Sequence, residues 1–311
     1  MRQTCLDEVY ELAKKDPRIF FIGSDLGVNT LDNFKKEMPE RFIMEGISEQ
    51  HVVGMASGLA LEGKIVYVNT ISTFITRRCF EQIVVDVCLH NLNVRLIGNG
   101  GGLVYAPLGP THLAIEDISI LRTVPNMTVV APADADEMRR LMPQTVDHPG
   151  PLYIRLAKGY DPIVSNDQTP FRIGKALPMR EGRDALLVTT GITLKLALEA
   201  SKELAALGIE CAVLHMPTIK PLDTSALLAR AKEVPVIVTI EENTTIGGLG
   251  SAVAESIAEA DFNAVKRFRR IGIPDVFAKH YGSQANLMEH YRISATEIIA
   301  TVKHLRALRA N

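Results

Sequence analysis

Hydrophobic and polar positions along the chain form short apolar runs separated by longer amphipathic stretches. Five runs in the first half have the length and composition of buried parallel strands: IFFIG (19–23), KIVYV (64–68), VRLIG (94–98), MTVVAP (127–132) and LYIRL (152–156). The stretches between them have helical periodicity, at residues 49–62, 74–90, 113–122 and 134–146. A helix that begins at Asp134, directly after a strand, is typical of a βα junction because Asp is a good N-cap residue.

This alternation is interrupted by the turn-forming residues SNDQTP (165–170) and then starts again. The second half predicts strands at 184–191, 209–216, 235–243 and 265–273, and helices that end before Gly208, begin at Asp223 and lie within 247–260. Strands joined by helices require crossover connections, which give a mostly parallel sheet covered on both faces. We therefore predict an α/β fold with two doubly wound, mostly parallel-sheet domains in series. Their predicted bounds are 1–164 and 183–311, with a linker at 165–182.

Composition and charge argue against several classes of protein. The formal net charge is −2 and no polybasic block occurs, so neither nucleic acid nor a membrane surface is an expected partner. The first 18 residues have the pattern of an amphipathic helix and not of a signal peptide, and no apolar run is long enough to span a bilayer. The four cysteines lack metal-binding spacing and suggest a reducing compartment. We expect a cytoplasmic protein.

Candidate chemistry lies in the loops that follow the predicted strands, because ligands of open α/β sheets bind beyond the carboxyl ends of the strands. Four such loops carry suitable side chains. They contain Glu49; Phe74 with Arg77 and Arg78; Asn99 with His112; and Arg155 with Lys158.

These residues also have ordinary structural explanations. Glu49 follows Ser48, a plausible N-cap, and an acid in the first turn of a helix interacts favourably with the helix dipole. Phe74 is compatible with a core position, His112 with a cap and the arginines with solvated side chains. The glycines of GNGGG (98–102) match neither a dinucleotide fingerprint nor a P-loop and are compatible with turns alone.

Four collinear segments carry a resemblance to a known family. They are GISEQHVVGMASGLALEG (46–63), STFITR (72–77), GPTHLAIEDISILRTVPNMTVVAPAD (109–134) and TIEENTTIGGLGSAVAE (239–255). Together they resemble the thiamine-diphosphate enzymes of the transketolase superfamily. The layout is similar to the carboxyl-terminal two thirds of a transketolase or of 1-deoxyxylulose-5-phosphate synthase. The resemblance implies that 1–164 is the pyrimidine-binding domain and 183–311 the family's C-terminal domain.

The resemblance also implies roles for single residues. Glu49 matches the acid that hydrogen-bonds a ring nitrogen of the cofactor's aminopyrimidine and so promotes loss of the thiazolium C2 proton, with Ile47 beside it in the cofactor site. Phe74 matches the residue that stacks on the pyrimidine ring, and His112 the catalytic histidine that bonds a substrate oxygen. The implied substrate-binding residues are Arg77, Asn99, Arg155 and Lys158, of which Arg77 and Lys158 match positions that bind the anionic end of the sugar.

One motif of the superfamily does not occur in these 311 residues. The G-D-G segment with a downstream Asn, which binds the diphosphate and a divalent cation such as Mg²⁺, is missing from the sequence. The resemblance therefore implies that this chain has no metal ligands and that a partner polypeptide holds the metal and the diphosphate. An obligate α2β2 complex is expected, and the chain alone is expected to be inactive.

Departures from the family pattern bear on the substrate. Leu108 replaces an aspartate that reads a sugar hydroxyl, and Gly100 and Gly101 replace a phosphate-binding side chain. These changes favour a modified, anionic ketose over the ordinary pentose phosphates. We predict the C-terminal subunit of a split transketolase, an enzyme that transfers a two-carbon ketol unit to an aldose. The alternatives are the beta subunit of a 2-oxo acid dehydrogenase, an enzyme similar to the deoxyxylulose synthase, and a non-catalytic α/β partner.

Overall fold

Two β-sheets, each covered by helices on both faces, form the core of the chain in a computed structural model that describes residues 1–24, 30–157, 159, 161–165 and 170–308. The strands of the first half are β1 (Ile19–Gly23), β2 (Phe42–Met44), β3 (Ile65–Ile71), β4 (Val94–Asn99), β5 (Thr128–Val130) and β6 (Leu152–Leu156). Its helices are α1 (Arg2–Lys15), α2 (Asp32–Glu37), α3 (Glu49–Leu61), α4 (Phe80–Gln82), α5 (Asp117–Arg122), α6 (Ala135–Leu141) and α7 (Gln144–Asp147). Short 3₁₀ segments lie at Pro39–Arg41 and Ala106–Leu108, and π-helical segments at Phe74–Arg78 and Ile83–Cys88.

The second half repeats the strand–helix alternation. Its strands are β7 (Leu177–Arg180), β8 (Ala185–Thr189), β9 (Cys211–His215), β10 (Thr218–Lys220), β11 (Val236–Thr244) and β12 (Arg267–Ile273). Its helices are α8 (Thr193–Ala206), α9 (Thr224–Glu233), α10 (Leu249–Ala258), α11 (Gln284–His290) and α12 (Ala295–Ala307). The predicted helix boundaries at Asp134, Gly208 and Asp223 are confirmed: both aspartates cap their helices, and Gly208 follows α8 with a φ of 76°.

The strand orders are those of doubly wound sheets. Within the described residues the first sheet runs β10-β5-β6-β4-β3-β1-β2 and the second β12-β11-β8-β9-β7. Neighbouring strands are parallel except at one edge of each sheet, where β10 and β7 are antiparallel to their neighbours. The predicted α/β class with two mostly parallel sheets is confirmed.

Residues of the central strands alternate between two hydrophobic clusters. In β1, Phe21 packs in the cluster under α1 and α6, while Ile22 packs in the cluster under α3 and α5. In β8 of the second sheet, Leu187 faces α8 and α12 and Leu186 faces α9 and α10. This period-two burial is what continuous apolar runs give when helices cover both faces.

Two strands lie where the sequence pattern does not predict them. β7 lies inside the segment 165–182 that is predicted as a linker. β10 belongs to the second half of the chain but pairs with β5, with Thr218 opposite Val130, and so extends the first sheet. Three residues with one isoleucine carry too little hydrophobic pattern to predict a strand, and their pairing depends on a contact distant in sequence.

Three predicted helices differ from the observed ones. The helix predicted at 134–146 is split into α6 and α7 at Pro143, which has no N–H to continue the helical hydrogen bonds. The helix predicted at 113–122 begins only at Asp117, because arginine side chains take the carbonyl oxygens of Leu113 and Ala114. The stretch predicted as a single helix at 74–90 is divided between the two π-helical segments and α4.

Arg95 of β4 is the largest fully buried side chain of the described residues. Its guanidinium donates to the backbone oxygens of Thr145 (2.7 Å), Gly150 (2.5 Å) and His148 (2.6 Å). Burial lowers the pKa of Arg95 to about 10. The side chain therefore ties α7 and the turn before β6 to the centre of the first sheet, and burying its charge is offset by three carbonyl acceptors.

Replacing Arg95 tests this clamp. Arg95→Met leaves three buried carbonyl groups without donors and should lower the free energy of unfolding by about 3 kcal/mol. Urea denaturation followed by circular dichroism measures the change. Arg18→Ala, which removes an exposed arginine paired with Asp16, is the control and should leave the midpoint unchanged. Equal midpoints for the two variants would contradict the clamp.

Candidate functional site

Glu49 is the first residue of α3 and is only 2% exposed. Ser48 occupies the N-cap position but makes no side-chain cap; its hydroxyl lies 3.4 Å from the Gly46 oxygen. The Glu49 carboxylate accepts a hydrogen bond from Arg78, with 2.6 Å between Oε2 and Nη1. Glu49 thus pairs with a side chain from another element, which an ordinary first-turn acid does not need.

Phe74 and His112 lie together beside Arg78. The ring centroids of Phe74 and His112 are 5.1 Å apart, with an edge-on interplanar angle of 65°. Tyr105 meets His112 from another side at 6.4 Å and 77°. Thr111 Oγ1 lies 2.9 Å from Nδ1 of His112, so Nε2 is the ring nitrogen left for another partner. The structure therefore brings three of the predicted residues, Glu49, Phe74 and His112, around a single cation.

Ile47 and Asn99 differ sharply in exposure. Ile47, two residues before Glu49, is 83% exposed. Asn99, at the end of β4, is buried and donates to Asn69 Oδ1 at 2.9 Å. Asn99 Oδ1 and Asn69 Nδ2 are buried without a hydrogen-bond partner among the described residues. Such groups are costly unless a ligand or water satisfies them.

Arg77 points away from its neighbour Arg78. It pairs with Glu116, with 2.9 Å between Nη2 and Oε2, and donates to the carbonyl oxygens of Leu113 (2.8 Å) and Pro110 (3.2 Å). Arg77 and Glu116 line one wall of a cleft of about 660 Å³ whose other wall includes Phe277 of the second half. Arg77 therefore fixes the end of the loop that carries His112.

Arg155, at the end of β6, is buried between the two halves of the chain. Its Nε lies 2.9 Å from Asp117 Oδ2, and its Nη2 donates to the carbonyl oxygens of Ala114 (3.1 Å) and Glu242 (2.8 Å). Burial acts against its charge, but Asp117 and Glu242 outweigh burial and raise the pKa of Arg155. This guanidinium is held by protein groups and does not face a sugar site. Lys158, the other predicted anchor in this loop, lies outside the described residues.

The glycine-rich loop after β4 is shaped by close packing. A Cβ on Gly100 would lie 2.1 Å from the ring of Tyr105, and a Cβ on Gly102 would lie 2.5 Å from Glu242 Cδ. Glu242 accepts hydrogen bonds from the Leu103 N–H (2.9 Å) and from Gln284 (2.7 Å), and burial raises the pKa of Glu242 to about 7. These glycines therefore let the loop approach the second half of the chain, which is more than a turn requires.

Three residues beside the predicted ones were not assigned to the site from the sequence: Arg78, Tyr105 and Glu242. Arg78 had a usable signal, because it lies four positions after Phe74 and so shares its helical face. Tyr105 and Glu242 had none, since their contacts depend on loop packing. Within the described residues no group of three or more His, Cys, Asp or Glu side chains is placed to hold a metal ion. No helix in the described part of the chain has the length and apolar character needed to cross a membrane.

Comparison with known proteins places this site in a family. The family model described as "Transketolase, pyrimidine binding domain" matches residues 1–160, and "Transketolase, C-terminal domain" matches residues 174–298. A solved structure described as "Split gene transketolase, inactive beta4 tetramer" is 35% identical, with a TM-score of 0.90 and 99% of each chain covered.

Similar proteins of known name agree with that result. The 6-deoxy-6-sulfo-D-fructose transketolase subunit SqwH of Clostridium sp. (strain MSTE9) is 38% identical over 300 residues, which cover 96% of this chain and 92% of the relative. An apulose-4-phosphate transketolase subunit of Phocaeicola vulgatus is 38% identical over 302 residues, covering 96% and 95%. The 1-deoxy-D-xylulose-5-phosphate synthase 1 of Geobacter sulfurreducens is 38% identical over 306 residues, but these cover only 47% of that enzyme. The two domain models and these full-length similarities show that this chain belongs to the transketolase family, and that its length and domain layout are those of the separate transketolase subunits.

Proposed function

We propose that this protein is the C-terminal subunit of a split, thiamine-diphosphate-dependent transketolase, which transfers a two-carbon ketol unit from an anionic ketose to an aldose. The observation that carries the proposal is the grouping of Glu49, Phe74 and His112. A buried carboxylate, a half-buried aromatic ring and a histidine with one ring nitrogen available lie together at the carboxyl edge of the first sheet. Family membership supplies the reaction type.

The residues present fit the pyrimidine end of the cofactor. Glu49 offers a carboxylate shielded from water to a ring nitrogen, and Phe74 offers a ring surface for stacking. The unpaired amide groups of Asn69 and Asn99 show that the same edge of the sheet has polar groups to satisfy. We place the diphosphate and Mg²⁺ on a partner polypeptide, because the G-D-G motif is missing from this sequence.

The chemistry divides between the cofactor and the side chains of this chain. When bound, thiamine diphosphate supplies the electron sink that accepts the two-carbon unit. Glu49 holds a proton at the aminopyrimidine nitrogen, and its burial strengthens that hydrogen bond. Thr111 orients His112, whose Nε2 is then directed to the substrate carbonyl oxygen. Phe74 and Tyr105 flank this histidine and exclude water from it.

The substrate is proposed to be a modified ketose with an anionic end. Leu108 is half-exposed in the loop that carries His112, and its aliphatic side chain offers no acceptor to a sugar hydroxyl. Two relatives have names that specify anionic ketoses, a sulfo-fructose and apulose 4-phosphate. Lys158 remains the proposed anchor for the anionic group. Arg77 can serve as a second anchor only by exchanging Glu116 for the substrate, since its charge is already paired.

A partner polypeptide is proposed to cover this edge of the molecule. Ile47 presents an apolar side chain to solvent next to the buried Glu49, and Leu89 at the end of the second π-helical segment is 71% exposed. Exposed apolar side chains beside a cofactor site favour burial in an interface. We propose an α2β2 assembly. A cytoplasmic location is part of the same proposal and is supported by the four cysteines, which are free and buried.

Glu49 is tested in the reconstituted complex. The chain is tagged in its native host, and a stoichiometric partner that carries the G-D-G motif should co-purify with it. Glu49→Gln should lower kcat of the complex by roughly 10²- to 10⁴-fold, the range typical of a lost proton-transfer group. Glu62→Gln, which alters an exposed acid at the other end of α3, is the matched control. Recovery of the chain without a partner, or full activity of Glu49→Gln, would reject the proposal.

Leu108 is tested by substrate preference. Leu108→Asp adds an acceptor for a sugar hydroxyl and should raise kcat/KM for xylulose 5-phosphate about tenfold relative to a sulfo- or branched-chain ketose phosphate donor. Leu108→Ala, which removes the side chain without adding an acceptor, is the control. The donor screen includes pyruvate, because turnover of pyruvate with an aldose phosphate would indicate the synthase-like alternative. A wild-type enzyme that already prefers xylulose 5-phosphate would contradict the modified-ketose proposal.

A further inference from the structure

Arg78 connects two residues of the proposed cofactor site. Its Nη1 lies 2.6 Å from Glu49 Oε2, and its Cζ lies 4.4 Å from the centroid of the Phe74 ring. The π-helical turn Phe74–Arg78 places both side chains on the same face, while Glu49 comes from α3. A single guanidinium therefore fixes the first turn of α3 to the aromatic ring.

The pair also answers a problem of charge. Glu49 is 2% exposed, whereas the Arg78 side chain is 41% exposed. A carboxylate at that depth needs a compensating cation, and Arg78 provides it without being buried itself. The sequence has a second arginine at 77, but that guanidinium is directed to Glu116. Adjacent arginines thus serve different acids, and only Arg78 serves Glu49 among the described residues.

Geometry leaves room for a ligand beside this pair. Arg78 uses one carboxylate oxygen of Glu49, and no hydrogen bond within the described residues engages the other. Arg78 covers one face of Phe74, while His112 approaches the same ring edge-on. An aromatic ring has two faces and a carboxylate two oxygens, so the guanidinium can brace both residues while each keeps one binding surface.

We propose that Arg78 is a positioning residue of the cofactor site, which holds the Glu49 carboxylate and the Phe74 ring in the relative orientation that the aminopyrimidine requires. This inference rests on the proposed function. The fork of the guanidinium is essential to it, because one planar group must hydrogen-bond the acid and stack on the ring at once. A lysine supplies the charge but not the plane.

The test measures cofactor affinity in the complex reconstituted with its partner. Titration calorimetry with thiamine diphosphate at saturating Mg²⁺ should give a Kd on the order of tenfold weaker for Arg78→Ala than for wild type. Arg78→Lys should give an intermediate Kd, and it keeps the test decisive if Arg78→Ala fails to fold. Arg230→Ala, which breaks a pair with the exposed Glu181 in the second half, is the matched control and should bind the cofactor normally.

Two further readouts separate positioning from simple stabilisation. Ethylguanidinium chloride should restore cofactor affinity to Arg78→Ala, whereas the same concentration of sodium chloride should not. In a double-mutant cycle, Arg78→Ala should cost little once Glu49 is already Gln, because the effect of Arg78 runs through that carboxylate.

The outcomes are distinguishable. Tighter cofactor binding by Arg78→Ala would show that the guanidinium occupies the place of the pyrimidine and would overturn the inference. Unchanged affinity with a lowered melting temperature would leave Arg78 a purely structural residue and would overturn it as well. A wild-type complex that binds no thiamine diphosphate would instead reject the proposed function itself.

Discussion

The arrangement of the site depends on one buried arginine at the junction of the two halves. Arg155 joins Asp117 at the start of α5, the backbone of Ala114 in the preceding loop and the backbone of Glu242 in the second half. An unpaired charge at this depth would cost several kcal/mol. The loop after His112 and the end of β11 must therefore both come to the end of β6, which sets the position of His112 relative to the first sheet.

The same physical solution recurs elsewhere in the first half of the chain. Arg95 holds three carbonyl groups, Arg77 holds the loop before α5, and Arg78 holds Glu49. In each case a planar, multidentate cation fixes backbone or carboxylate groups that regular secondary structure leaves without partners. Loops built in this way are rigid enough to carry catalytic groups, although they contain little helix or strand.

The sequence predicted well what local pattern controls. Alternating strands and helices, the caps at Asp134 and Asp223 and the end of α8 before Gly208 all follow from short-range chemistry. The meeting of Glu49, Phe74 and His112 was also predictable, because parallel strands end at a common edge. What the sequence could not reveal is the partner of each charged side chain. Arg77, Arg78 and Arg155 are equivalent as letters, yet their acids lie 39, 29 and 38 positions away. Whether an arginine is free to bind substrate or is consumed by the fold is decided by such distant contacts.

The position of β10 makes the two halves a single folding problem. Its pairing with β5 closes the edge of the first sheet with residues that come after three strands of the second half. A fragment that stopped before Thr218 would expose the β5 edge, with its unpaired N–H and C=O groups, as a template for aggregation. The first sheet is therefore completed only after much of the second half has been synthesised, and a nascent chain must keep that edge protected until then.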